Sequence, residues 1–254
     1  MHTREEKLQS FGNLLDIMDE LREKCPWDQK QTFESLRHLT IEETYELAEA
    51  ILEKDTQEIK KELGDILLHL VFYAKIGSES QDFDIKDVID SLCEKLIHRH
   101  PHIYGDIKVN DDAEVKRNWE KLKLKEGKKS VLEGVPKSLP AMIKAYRIQD
   151  KVKGVGFEFE NTEQTWAKIE EELQEYKQET QFDKKEAEFG DLLFSLINYA
   201  RFIGIDSETA LERTNKKFIK RFQKIEELAA NEGKNIADLT LKEQDFLWNL
   251  AKNQ

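Results

Sequence analysis

Proline and glycine are scarce in this chain, 4 and 11 residues among 254. Loop-rich β architecture needs turn residues at short intervals, so the scarcity argues against it and for long helices. Cysteine is nearly absent, with only Cys25 and Cys93. The start, Met1-His2-Thr3-Arg4-Glu5-Glu6, has no apolar stretch to act as a signal. A cytoplasmic chain with two reduced thiols is therefore expected. Long hydrophobic runs are also missing. The longest, Ile66 to Ile76, is broken by His69 and Lys75 and is too short to cross a bilayer, so no membrane partner is expected. Positive charge is in deficit, 40 Lys and Arg against 52 Asp and Glu, for a formal net charge of -12. Such a surface repels nucleic acid and anionic lipid. It leaves room for a small anion held by a local basic group or a bridging cation.

What is present is an internal repeat. Gly64-Asp65-Ile66-Leu67-Leu68-His69-Leu70-Val71-Phe72-Tyr73-Ala74-Lys75 recurs as Gly190-Asp191-Leu192-Leu193-Phe194-Ser195-Leu196-Ile197-Asn198-Tyr199-Ala200-Arg201, 126 positions later (191 minus 65). Upstream, Glu42-Glu43-x-x-Glu46 corresponds to Glu171-Glu172-x-x-Glu175. Downstream, Lys95-x-x-x-Arg99 corresponds to Lys217-x-x-x-Arg221, and Trp119 pairs with Trp248. Four features in the same order mark a duplicated unit. The series Phe11, Leu14, Leu15, Met18, Leu21 and Leu63, Ile66, Leu67, Leu70, Ala74 fall at helical spacing. So do Trp166, Ile169, Leu173, Tyr176 and Phe218, Phe222, Ile225, Leu228. No stretch alternates with period two for long. The expected fold is all-α, a tandem repeat of helical bundles. The expected domains are 1–122 and 140–254, joined by a linker at 123–139 that carries Gly134 and Pro136. A short helix is expected from Pro140 to Lys151, ended by Gly154 and Gly156.

On a helix, residues three or four apart share a face. Glu172 and Glu175 project together, Glu188 and Asp191 do so on the next helix, and a short connection from about Gln178 to Lys184 makes the two helices antiparallel. Four carboxylates then converge, and like charges in a partly buried site repel. Oxygen ligands without cysteine or histidine suit a hard divalent cation, Mg2+ or alternatively Mn2+, which implies a phosphate ester or anhydride as substrate. Lys217 and Arg221, four apart, offer two cations on one helix face. Against this stands a blander reading, in which charged helices simply present solvated faces and Trp248 is a core aromatic. His98, His100 and His102 flank the first basic helix; their alternate spacing places the rings on different faces, which favours a surface cluster around Pro101 over a metal site shared with Asp106.

These residues resemble the MazG family of nucleoside triphosphate pyrophosphohydrolases, from Leu14 to Trp248. Lys24-Cys25-Pro26-Trp27-Asp28, Gly134-Val135-Pro136-Lys137-Ser138-Leu139-Pro140-Ala141 and Gly156-Phe157 also match the family pattern, with Glu158 where Asp is usual. The resemblance implies tandem MazG-like domains that cleave nucleoside triphosphates to monophosphate and diphosphate, in a homodimer. It implies metal ligands at Glu172, Glu175, Glu188 and Asp191, and catalytic roles for Glu171, Glu172, Lys217 and Arg221. It implies nucleotide contacts at Lys168, Glu171, Glu172, Glu188, Asp191, Lys217, Arg221 and Trp248. The first copy retains Glu42, Glu43, Glu46, Glu62, Asp65, Lys95 and Arg99 as a second candidate set, and the C-terminal copy is the expected catalytic one. The competing expectation is a non-catalytic helical interaction protein that keeps a nucleotide-binding shell.

Overall fold

The structure is a computed structural model and describes residues 1–109, 114–115 and 130–252. Trp119 and the first residues of the expected linker lie outside these. Every regular element among the described residues is helical. The chain divides into two compact units, Met1–Lys108 and Val109–Gln254.

The first unit holds α1 (Arg4–Lys24), a 3-10 turn (Asp28–Lys30), α2 (Phe33–Glu53), α3 (Thr56–Glu79), α4 (Ile85–Arg99) and the single turn α5 (Pro101–Tyr104). Side-chain caps set the starts. Thr3 and Glu6 form a reciprocal capping box on α1, Thr32 and Ser35 do the same on α2, and Asp55 and Asp84 cap α3 and α4. Lys54 takes a left-handed conformation, φ 57, between α2 and α3. With Asp55 it makes a two-residue reversal that lays the two helices against each other. Met18, Leu36, Val71 and Phe72 form the core, with Phe11, Leu14, Leu15 and Leu39 packed on it.

The second unit repeats the plan with α6 (Ala141–Lys153), α7 (Thr162–Gln178), α8 (Phe182–Phe202), α9 (Ser207–Asn231), a 3-10 turn (Ile236–Asp238) and α10 (Leu241–Lys252). The expected short helix is α6, with Pro140 at its N-cap rather than within it, and it runs to Lys153. Gly156, at φ +92, makes the turn that brings Phe157 to Phe159 back over α6. That φ strains any side chain, although no atom would obstruct a Cβ there. α7 and α8 form a hairpin through Glu179–Gln181, whose turn is held by the Glu179 carboxylate accepting from the Thr180 and Gln181 amides at 2.7 Å each. A separate apolar cluster, Ile225, Ala229, Leu247 and Ala251, joins α9 to α10.

Candidate functional site

Each helical hairpin brings three carboxylates together. In the second unit these are Glu172 on α7 and Glu188 and Asp191 on α8, each offering an oxygen within 4.8 Å of the others. In the first unit Glu43 on α2 meets Glu62 and Asp65 on α3 within the same distance. The sequence placed four acids at each centre. The fourth, Glu175 or Glu46, is exposed and stands beside the cluster rather than in it. Glu175 is still close enough to add its charge to that of Asp191 and Glu172 on Glu188.

Each cluster has a carboxyl with a raised pKa and a lysine paired with its buried glutamate. Desolvation first, and then the charges of Glu175 and Asp191, push the Glu188 carboxyl above its ordinary range. Desolvation first, and then Asp65 and Glu46, do the same to Glu43. In the second unit a cation already sits in the cluster. The Lys168 ammonium lies 2.7 Å from both Glu171 and Glu172, and these hydrogen bonds hold its pKa above the usual lysine value. Glu172 itself is buried, 6% exposed. In the first unit the buried Glu62 pairs with Lys61 at 2.8 Å, while its Oε2 has no protein partner among the described residues.

Behind the second cluster lies a cavity of about 500 Å3. Glu172, Asp191 and Lys168 line one end of it; Ile148, Val152, Phe157, Phe159 and Phe194 contribute apolar surface. Its buried polar groups are Gln149, Thr165, Ser195 and Arg201, with Asn198 beside them. Arg201 is fastened by Glu158 at 2.5 and 2.9 Å and by Asn198 at 2.8 Å. Sequence patterning missed this wall, because its members come from three helices and the loop before α7. A signal did exist in the repeat itself: Thr165, Lys168 and Asn198 stand where the first copy has Leu36, Leu39 and Phe72.

The remaining candidates fall elsewhere. Lys217 and Arg221 line a second depression of about 560 Å3, with Lys220, Lys224 and Lys252. Trp248 packs on the α9–α10 cluster, 5.1 Å from the Phe218 ring, with the Arg221 guanidinium 5.8 Å from its own ring centre. Neither basic side chain lines the cavity beside the carboxylates. In the first unit Glu42, Glu46 and Lys95 are exposed and Arg99 is half-buried. The histidines depart from the spacing argument. α4 ends at Arg99, so His100 and His102 escape the helical register and their rings meet at 5.6 Å. Among the described residues they join no metal-ligating group. Both cysteines are free thiols. No described helix is long and apolar enough to cross a membrane.

Comparison with known proteins bears on the whole chain. The MazG nucleotide pyrophosphohydrolase domain model matches residues 31–104. A Thermotoga maritima protein named nucleoside triphosphate pyrophosphohydrolase/pyrophosphatase MazG is 45% identical over 247 residues, 95% of each chain. An Escherichia coli K12 protein named nucleoside triphosphate pyrophosphohydrolase is 36% identical, covering 97% of this chain and 98% of its own. A solved mazG-related protein from Thermotoga maritima aligns with 44% of this chain and 98% of its own, at 28% identity and a TM-score of 0.40. With relatives this similar along nearly its full length, the chain belongs to the MazG family.

Proposed function

We propose that this chain hydrolyses nucleoside triphosphates at the α–β anhydride, releasing a nucleoside monophosphate and pyrophosphate, with the working site in the C-terminal unit. The observation that carries the reading is the meeting of Glu172, Glu188 and Asp191 within 4.8 Å at one end of a cavity. Three carboxylates so placed repel one another, and the raised pKa of Glu188 is the mark of that repulsion and of its desolvation. A divalent cation relieves it. An all-oxygen donor set suits Mg2+, with Mn2+ as a substitute; Glu172, Glu188 and Asp191 would hold it, with Glu175 beside them as the fourth candidate ligand. When bound, the cation supplies charge neutralisation at the phosphate oxygens.

The protein's own groups do the rest. Glu171, one residue from the buried Glu172 and exposed, takes the proton of the attacking water. Lys168 bridges Glu171 and Glu172, and its ammonium would serve a phosphate oxygen if a cation were held at Glu172. By the family resemblance Lys217 and Arg221 would hold the triphosphate and Trp248 would contact the nucleotide, from the separate depression and cluster on α9 and α10. Glu42, Glu43, Glu46, Glu62, Asp65, Lys95 and Arg99 form the second, N-terminal candidate set. The chain works as a homodimer in the cytoplasm, with nucleoside triphosphates rather than nucleic acid or membrane as its partners, and serves to clear them. Exposed Phe218, Ile219 and Phe246 on α9 and α10 support self-association.

The test is pyrophosphate release by the full chain with Mg2+ and a panel of nucleoside triphosphates. Release is expected, and Glu172→Gln should abolish it. Orthophosphate alone, or no turnover, rejects the reading.

A further inference from the structure

We propose that Lys168 is an internal counter-ion of the C-terminal carboxylates, which competes with the divalent cation for Glu172 and keeps the site poorly loaded until a phosphate offers the ammonium another partner. This rests on the proposed reading of Glu172, Glu188 and Asp191 as a cation site, and adds what controls its loading. Those residues fit a hard cation by their chemistry, three carboxylates offering oxygens within 4.8 Å of one another.

Glu172 is buried, and a carboxylate taken that far from water needs a positive partner. The fold supplies one on the same helix. Lys168 stands one turn before Glu172 on α7, and its ammonium lies 2.7 Å from Oε1 of Glu172 and 2.7 Å from Oε1 of Glu171. Residues three and four apart on a helix are neighbours, so one lysine reaches both glutamates without distortion. Its side chain is 36% exposed and lines the cavity, so it can swing away without unpacking a core. An ammonium and a divalent cation at one carboxylate repel each other strongly at such separations. Cation binding to the free protein therefore carries the cost of displacing Lys168. Phosphate oxygens beside the cluster accept the displaced ammonium and remove that cost. By linkage, cation and phosphate each strengthen the binding of the other. The site thus resists free metal and fills when metal and phosphate arrive together. The first copy is built differently. Leu39 stands where Lys168 does and packs on the apolar core. The lysine there, Lys61, comes from the other helix of the hairpin and pairs with Glu62 and Glu58 on that helix. A leucine cannot bridge the two leading glutamates of the motif, so this tie belongs to the second copy.

The test is binding of Mn2+ alone, titrated by calorimetry into the full chain without nucleotide, so that it is read independently of turnover. All proteins carry Glu43→Gln, which weakens the first cluster and leaves the second to be read. Adding Lys168→Met, close in length and uncharged, should tighten Mn2+ binding by about tenfold. Lys168→Arg, which keeps the charge, should stay within about twofold of the Lys168 protein. Mn2+ should also raise the melting temperature of the Met variant by more than it raises that of the Lys168 protein, because stabilisation by a ligand follows its affinity. Lys168→Gln serves the same comparison should the Met variant fail to fold. Glu172→Gln in the same background separates the two readings, since it should remove the Mn2+ site. If it does so while Lys168→Met and Lys168→Gln leave the affinity unchanged or weaker, the counter-ion role is overturned and the cation site stands. If Glu172→Gln leaves Mn2+ binding unaltered, the cation site itself is overturned, and the role of Lys168 with it.

Discussion

The two units carry the same acidic hairpin over different surroundings. In the first, Leu36 and Phe72 stand where the second has Thr165 and Asn198, and they lie at 1% and 2% exposure in a packed apolar core with Met18 and Val71. In the second, the corresponding helices border a cavity whose buried members are polar. The carboxylates therefore do not distinguish the copies; what lies behind them does. Duplication leaves two copies of one scaffold, and the space beneath it can be filled for stability or kept open for a ligand. Apolar filling contributes to folding, whereas an open cavity forgoes contacts and must hold its polar atoms in place by ion pairs such as Arg201–Glu158.

That contrast can be broken at several points. Glu172→Gln should lower pyrophosphate release by about a hundredfold or more, the usual scale for losing a group at the reacting centre. Glu43→Gln, assayed beside it, should change the rate less than about twofold, because its unit has core where the other has cavity. A reversed pair of results assigns catalysis to the N-terminal unit. Phe72→Ala should destabilise the first unit by about 3–5 kcal/mol, as large-to-small changes in filled cores do. Hydrogen exchange along α3 during denaturant titration reads this locally. Asn198→Phe transplants the first unit's side chain into the second and should raise KM for nucleoside triphosphates by about tenfold. An unchanged KM would mean that the wall is irrelevant to binding.

The pH response sharpens the comparison further. Burial opposes ionisation of Glu158, but the hydrogen bond and charge of Arg201, with Lys153 behind it, outweigh that and hold its carboxyl below the ordinary range. A depressed folded-state pKa contributes stability that is complete above the unfolded value, about 4.3, and is lost as pH falls through the folded value. Thermal unfolding from pH 7 downward should show that contribution fading in this acid window. Glu158→Gln should be less stable at pH 7 and converge on the unaltered protein in acid; parallel curves would remove the pair as the source. The N-terminal counterpart of Arg201 is Lys75, which meets Asp19 at 2.6 Å, but Asp19 is 64% exposed. Lys75→Met should accordingly cost less than about 1 kcal/mol.

Much of this was legible in the amino-acid order, and the part that was not has a physical reason. Helical periodicity located α1, α3, α7 and α9, but on α3 it did not name the buried face: Leu63, Leu67 and Leu70 are exposed, while Val71 and Phe72 are buried. The Glu-x-x-Glu and Glu-x-x-Asp spacings brought three carboxylates of each copy onto facing helices. They did not bring Glu175 or Glu46 into the cluster, since a shared face spans a range of directions and the turn angle of the hairpin selects among them. His100 and His102 met because a helix stopped at Arg99, and no spacing rule knows where a helix ends. Gln149, Thr165, Asn198 and Arg201 could not be grouped from spacing at all: they come from three helices, and polar residues on separate helices carry no common period. Setting the copies side by side reveals two of them, Thr165 and Asn198, which stand where the other copy has Leu36 and Phe72.

The depression formed by Lys217, Lys220, Arg221, Lys224 and Lys252 has a kinetic consequence. It gathers five cations around one carboxylate, Glu227, on a chain of net charge -12. Diffusing polyanions are repelled by a net negative surface and drawn toward a basic cluster of this kind, so their encounters with it are favoured over random ones. Mobile ions flatten that field within about 10 Å at 0.1 M salt, which makes arrival, more than anything after it, the event that ionic strength controls.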